Sequence, residues 1–253
     1  MIPLQTDKVT TGTDPFPYAI IDDLLPQDVF CRLYPEVQSL NRESFYQYAS
    51  PLEKKLAFSN TLLFPPTIKE LIQTLTAHGS CQMIGKLFGE ERLVVEKSLN
   101  GAGIHMIERG GKLDLHLDHN RSDHMPGMER RVNAIYFMHP QWEEEWGGHL
   151  ELWSEKDGLP FELRQKIKPE PNRLALFLAS DKSFHGHPEP LACPERRLRA
   201  SLALYFWSPI QRDREVRKKV KFAPRPSDQR SEELDLLRQL RANPETAIQA
   251  YRQ

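Results

Sequence analysis

Leu115-His116-Leu117-Asp118 is the sharpest local pattern in this chain. On a β-strand, side chains alternate between faces, so His116 and Asp118 project from one side and the two leucines from the other. An imidazole and a carboxylate side by side supply two ligands to a borderline divalent metal. A solvated strand pair is the bland alternative, since an H-x-D recurs by chance. A third ligand must come from elsewhere in the chain.

A partner stands 67 residues after Asp118, in Ser183-Phe184-His185-Gly186-His187-Pro188. Gly186 and Pro188 restrict the local chain and allow the imidazole of His185 to be presented inward. His187 is the competing ligand and ranks second, reading otherwise as a rim residue or as one that supports the ligands from behind. Two histidines and one carboxylate, with the remaining positions open, is the ligand set used by non-haem Fe(II) oxygenases. Fourteen residues beyond His185 comes Arg199, with Ser201 on the same face of an otherwise mostly apolar run, ASLALYF. A lone buried guanidinium is costly, so Arg199 needs an acidic partner. Its planar fork, with a hydroxyl two residues on, suits a carboxylate. A dicarboxylate could chelate the metal at one end and meet Arg199 and Ser201 at the other. Arg196 and Arg197 fall in the turn CPERR and read as solvated.

The elements that must position these groups follow from periodicity. Eight of the nine histidines lie between His105 and His187. In the same region, short apolar runs are punctuated by Gly, Pro, Asn and Asp. Strands are predicted at Ile104–Glu108, Leu113–His119, Val132–Met138, His149–Trp153, Arg173–Leu178 and Ala200–Trp207. That is the spacing of an all-β sandwich or barrel. Before it, Tyr18–Ile21 reads as a strand, and Val29, Leu33 and Val37 mark a helix with Pro26 in its first turn. Residues 66–91 give a second helical region, so the first 95 residues read as mostly helical. After it, residues 209–253 carry eleven Lys+Arg against seven Asp+Glu. The basic run at 212–221 reads as a solvated connector. Leu234, Leu237 and Leu240 mark an amphipathic helix at 229–241.

Composition removes whole classes. At 253 residues with 39% hydrophobic and 27% charged residues, the chain has length for a real core and the balance of a globular protein. A net charge of −1 gives no global argument for nucleic acid or anionic lipid, so neither partner is expected. The longest apolar runs, such as Leu174–Ala179, are far too short to span a bilayer. The N-terminal residues lack the basic-then-apolar layout of a signal peptide. Cys31, Cys81 and Cys193 are odd in number and far apart, which favours a reducing cytoplasm over a disulfide framework.

Beyond these pieces, the sequence resembles the prolyl-4-hydroxylase-like branch of the Fe(II)- and 2-oxoglutarate-dependent dioxygenases. The likeness opens with FPYAIIDDLLP at 16–26. It continues through Gly110-Gly111-Lys112-Leu113 and the H-x-D, then Arg130-Arg131-Val132-Asn133-Ala134-Ile135-Tyr136. It runs on through Trp142, GGHLELW at 147–153 and Pro171-Asn172-Arg173. His185-Gly186-His187-Pro188 and Arg199-Ala200-Ser201 close it. Order and spacing agree throughout, which is far more specific than the H-x-D alone.

The resemblance implies an α+β chain with a double-stranded β-helix core, a cupin-like jelly roll, and N-terminal helices packed on one sheet. It divides the chain into a helical support region at 1–97, the dioxygenase core at 98–208 and a basic tail at 209–253. It implies His116, Asp118 and His185 as catalytic iron ligands, and Arg199 with Ser201 as the 2-oxoglutarate site. Fe(II), 2-oxoglutarate and O₂ are the implied cofactors, with ascorbate as an optional reductant. The implied reaction is hydroxylation of an unactivated C–H bond, with succinate and CO₂ as co-products, on a small-molecule, sugar or peptidyl substrate. Many relatives also use a Tyr to reach the far carboxylate, at the position of Phe137. Here the Tyr is at 136, facing the core if the register holds. The rival readings are a metal-binding cupin-type isomerase or sensor with the same three ligands, and a binding jelly roll with a vestigial site.

Other residues carry two readings each. Gly147-Gly148 suit a tight turn. Trp142, Trp146 and Trp153 line a cleft or pack. His105 and Asn133 face substrate or are satisfied structural groups. His119, Asn120, Asp123 and His124 form a polar lid or a solvated loop.

Overall fold

Alternation along the strands decides which side chains reach the interior, and it is clearest in the computed structural model, which describes residues 1–211 and 215–247. In chain order the elements are β1 (Val9–Gly12), β2 (Tyr18–Ile21), α1 (Gln27–Ser39), β3 (Tyr46–Ser50), β4 (Glu53–Phe58), α2 (Pro66–Leu75), α3 (His78–Phe88), β5 (Val94–Val95), β6 (Gly103–Ile107) and β7 (Lys112–Leu117). Then follow β8 (Met128–Phe137), β9 (Leu150–Lys156), β10 (Leu159–Ile167), β11 (Leu174–Leu178), β12 (Phe184–His187), β13 (Arg199–Pro209), β14 (Lys221–Phe222) and α4 (Glu232–Ala242). The strands join in the order β1-β2-β11-β8-β13-β6-β4-β7-β12-β9-β10, and every pairing is antiparallel.

The sheet curls on itself. Phe137 of β8 and Phe177 of β11 pack against Leu150 and Leu152 of β9, closing one end of the interior. On β13, Ala200, Leu202, Leu204 and Phe206 face outward into the main core with α1, α2 and α3. Arg199, Ser201, Ala203 and Tyr205 alternate with them and line the internal cavity. The same split holds on β6, where Ile104 and Met106 meet the helices and His105 and Ile107 face inward. Helix α1 presents Val29, Phe30, Leu33, Tyr34 and Val37 to this core. Burying side chains of that size is worth about 1.5–3 kcal/mol each, which fixes the helical layer to one sheet. This is the double-stranded β-helix with helices on one sheet that the resemblance implies. Among the described residues, no helix is long and apolar enough to cross a membrane.

Several expectations need correction. Residues 1–97 hold three helices but also β1 to β5, and β4 inserts between β6 and β7 of the central sheet. The β3–β4 hairpin escapes periodicity because polar residues such as Gln47, Lys54 and Lys55 dominate it. Pro26 caps α1 rather than lying in its first turn. Strands β10 and β12 were also not predicted. Strand β10 is an edge strand with mostly exposed side chains, so burial imposes no alternation on it. Strand β12, FHGH, has no apolar pattern and exists because β7 and β9 pair with it. In α4 the buried residues are Arg238 and Arg241, not the leucine stripe. Arg241 bonds the Glu53 carboxylate and stacks on Phe222, so polar contacts dock this helix.

Candidate metal and 2-oxoglutarate site

Strands β7 and β12 lie side by side with His116 opposite His185 in register. This pairing brings the predicted third ligand to the H-x-D motif. His185 Nε2 lies 3.3 Å from Asp118 Oδ2, and His116 Nε2 lies 3.7 Å from Asp118 Oδ1. One donor atom from each of the three falls within 4.8 Å of the others. Ligand bonds of about 2.1 Å at right angles put donors about 3 Å apart, so this cluster would close on an ion by contracting.

The backbone selects the tautomers. His116 Nδ1 lies 2.8 Å from the Asp114 carbonyl, and His185 Nδ1 lies 2.9 Å from the Ser183 carbonyl. A carbonyl only accepts, so each Nδ1 carries the proton and each Nε2 presents its lone pair inward. Burial, followed by the neighbouring His185, lowers the His116 pKa to about 3, so the ring stays neutral and ligating. Burial alone would raise the Asp118 carboxyl. The adjacent Arg130 guanidinium, foremost, outweighs it and holds that carboxyl well below the usual range.

Asp118 is further held by Asn133, whose Nδ2 donates to Oδ2 at 2.7 Å, and by Arg130 Nη2 at 2.9 Å. Arg130 Nε donates in turn to Asn133 Oδ1 at 2.6 Å, and the guanidinium stacks 3.2 Å over the Tyr205 ring. No local pattern in the sequence distinguishes Arg130 from Arg131. A register shift in the β8–β13 pairing, where Trp207 meets Arg130 after Phe206 meets Val132, turns Arg130 to the cavity. Arg131 turns the other way and pairs with Glu90.

Arg199 is buried, and Nε donates to the Gly148 carbonyl at 2.8 Å. Its guanidinium lies 4.9 Å from the Phe137 ring centre. Among the described residues no carboxylate pairs with it, and burial pushes its pKa down to about 9. Gly148 adopts φ +71°, and a Cβ there would sit 3.0 Å from Arg199 Cδ, so the glycine makes room for this side chain as well as the turn. Ser201 lies two residues on, facing the same cavity and paired in register with His105 and Phe137. An uncompensated buried guanidinium in the same cavity as a His–Asp–His cluster fits a dicarboxylate that bridges the two.

The cavity measures about 490 Å³ and includes all five predicted site residues: His116, Asp118, His185, Arg199 and Ser201. His105, Asn133 and His119 line it too, as do Arg121, Ser122, Asp123 and His124 at its mouth. Trp142, Trp146 and Trp153 do not line it; Trp142 packs with Ile107, Leu191 and Cys193. Tyr136 faces away, fully buried, with its hydroxyl donating to Asn172 Oδ1 at 2.7 Å. Arg196 is exposed in its turn.

Two placements differ from expectation. His187 is not a rim residue. It is 5% exposed and lines the cavity, with neither ring nitrogen hydrogen-bonded. His187 is absent from the ligand cluster. His187→Ala should therefore keep the wild-type affinity for Mn(II) in a calorimetric titration. Loss of metal in this variant, with metal retained in His185→Ala, would exchange their roles. The described part of the run at 212–221 is a largely solvated connector, as expected, but not throughout. Residues 212–214 lie outside the described residues, but Arg217 is buried, and Lys218, Lys219 and Phe222 line the cavity. Strand β14 pairs with β7, which places the Phe222 ring 5.5 Å from His116.

Known proteins resemble this chain. Residues 102–207 match the family model of the 2OG-Fe(II) oxygenase superfamily. A stretch of 81 residues is 32% identical to mouse prolyl 3-hydroxylase OGFOD1, covering 32% of this chain and 14% of that protein's length. The matched stretch is thus a small part of that relative. Among solved structures, a Pseudomonas putida prolyl-4-hydroxylase aligns with TM-score 0.53 at 19% identity, covering 75% of this chain and 91% of that one. A Trichoplax adhaerens prolyl hydroxylase, solved with a hypoxia-inducible-factor peptide, aligns with TM-score 0.53 at 19% identity over 75% and 82%. At these identities the structural likeness speaks for the fold, and the family match lies on the strands that carry His116, Asp118, His185 and Arg199. The strand-rich core of this chain, residues 102–207, thus matches the 2OG-Fe(II) oxygenase superfamily model and shares its fold with the prolyl-4-hydroxylase structures.

Proposed function

We propose that this chain is an Fe(II)- and 2-oxoglutarate-dependent dioxygenase that hydroxylates an unactivated C–H bond, releasing succinate and CO₂. One observation carries the reading: an inward-facing His–Asp–His cluster shares its cavity with a buried Arg199 that has no carboxylate partner among the described residues. His116, Asp118 and His185 would hold the iron, and Arg199 with Ser201 would hold the far carboxylate of the cosubstrate. Bound Fe(II), with 2-oxoglutarate and O₂, supplies oxidising power that no side chain has. The protein's part is to bind, orient and exclude water. Arg130 and Asn133 fix the Asp118 carboxylate, and the Asp114 and Ser183 carbonyls fix the imidazoles. Residues 1–97 support the core at 98–208, and residues 218–222 of the tail at 209–253 close one side of the cavity.

The substrate enters past residues 121–124 and Lys218–Lys219. A prolyl-containing peptide is the first class to try, given the names of the relatives, and small molecules are the second. The unpaired cysteines favour a reducing, cytoplasmic setting. The test is anaerobic calorimetry of 2-oxoglutarate with the Mn(II)-loaded protein, then succinate release with Fe(II), O₂ and ascorbate. Tight binding and chelator-sensitive succinate are expected. Metal binding with no 2-oxoglutarate binding would favour the cupin-type isomerase or sensor instead.

A further inference from the structure

Arg217 lies ten residues beyond the stretch that matches the family model. It is 6% exposed, and its guanidinium reaches from the end of β7 to the turn between β11 and β12. Nε donates to the backbone carbonyl of Asp118 at 3.2 Å, at the end of β7. Nη1 donates to Asp181 Oδ1 at 2.6 Å, and Nη2 to the Ser180 carbonyl at 3.3 Å. The contact to Ser180 continues inward. Ser183 Oγ also donates to the Ser180 carbonyl, at 3.0 Å, and the Ser183 carbonyl accepts from His185 Nδ1.

The Arg217 backbone is stitched to the same place. Its N–H donates to Asn120 Oδ1 at 2.9 Å, and its carbonyl accepts from Asn120 N at 2.9 Å and Arg121 N at 3.2 Å. Asn120 Nδ2 donates to the Glu215 carbonyl at 2.8 Å. The side chain is therefore delivered by a fixed backbone, which lowers the entropy lost when it bridges.

We infer that Arg217 is a positioning residue of the metal centre, clamping the Asp118 end of β7 to the turn that presents His185 on β12. The inference rests on the proposed reading of the His–Asp–His cluster. Groups that orient metal ligands without touching the metal typically contribute about 10–100-fold in metal affinity. Three donors from one planar fork, one of them to a carboxylate, suit that task better than an ammonium.

The test uses the full chain titrated with Co(II), reading affinity and the visible Co(II) spectrum, with far-UV circular dichroism and metal-free thermal unfolding alongside. Arg217→Ala should bind Co(II) about 10–100-fold more weakly than wild type and with an altered spectrum. Arg217→Lys should recover part of that loss. Asp181→Asn, which keeps the guanidinium but removes its charged acceptor, should shift affinity the same way by less. Arg225→Ala, on the same tail but bonded to Glu189 and Asp228, should leave Co(II) affinity unchanged. Wild-type affinity and spectrum in Arg217→Ala would overturn the inference, even if its unfolding temperature falls, because the contact would then be structural only. If Arg217→Ala fails to fold, unchanged Co(II) affinity in both Arg217→Lys and Asp181→Asn overturns it equally. A wild-type protein that binds no Co(II) refutes the metal-site reading itself, a different result from either.

Discussion

Asp118→Ala should abolish turnover and weaken Fe(II) binding by more than the roughly hundredfold that the loss of a supporting group costs. The variant removes the one carboxylate of the cluster and leaves two neutral imidazoles to hold a dication. A second effect accompanies it. Asp118 is the carboxylate partner of Arg130, whose side chain is almost fully buried. Breaking a buried ion pair by removing one partner costs about 3–5 kcal/mol, because the other charge is left uncompensated. The metal-free protein should therefore unfold at a lower temperature as well. The two effects separate by experiment: Mn(II) calorimetry reports the ligand role, and thermal unfolding without metal reports the Arg130 partnership. Full metal occupancy and activity in Asp118→Ala would remove this residue from the site. An unchanged metal-free unfolding temperature would show that Asn133 and the Tyr205 ring suffice for Arg130.

Arg199→Ala should raise the dissociation constant for 2-oxoglutarate by about thirtyfold to several thousandfold. Truncating one partner of a buried charge-assisted pair costs about 2–5 kcal/mol, and about 1.4 kcal/mol is one decade of affinity. Metal binding should stay nearly intact, since Arg199 is not among the clustered donors. The sign of the effect on the free protein differs from that of Asp118. The Arg199 guanidinium is buried without an acid and depressed to about 9, so removing it relieves an unfavourable burial. The metal-free, cosubstrate-free variant should unfold at or above the wild-type temperature. Arg199→Lys should be intermediate in affinity, keeping charge but losing the fork. Arg196→Ala, exposed in its turn, should change neither quantity. The measurement is anaerobic calorimetry with Mn(II) standing in for iron. Unchanged 2-oxoglutarate affinity in a folded Arg199→Ala would sink the assignment.

The metal cluster was legible before any coordinates because it depends on local rules. A strand puts residues i and i+2 on one face, so His116 and Asp118 had to project together wherever β7 lay. The same rule put Arg199 and Ser201 on one face of β13 and turned Tyr136 to the core. His185 over His187 rested on local Gly and Pro and on the family's spacing. Strands with buried outer faces were readable for the same reason, since packing against the helices makes Ala200, Leu202, Leu204 and Phe206 alternate with the cavity-facing Arg199, Ser201, Ala203 and Tyr205.

What the tertiary structure decided lies where a residue's direction depends on a partner far away in sequence. Arg130 reaches Asp118 through a register shift against β13, and no periodicity in β8 announces a slipped pairing. His187 is buried because β7 and β9 enclose β12, a strand whose own residues carry no apolar pattern. Lys55 arrives at the cavity because β4 inserts between β6 and β7, and the polar residues of its hairpin carry no apolar alternation. Arg217 looked solvated because a run of like charges usually is; the acceptors that bury it, at Asp118, Ser180 and Asp181, lie 36 to 99 residues earlier in the chain. Local alternation therefore determined which atoms can bind the metal, and long-range pairing determined which groups hold those atoms in place, because a hydrogen-bond acceptor brought by folding leaves no mark on the sequence around its donor.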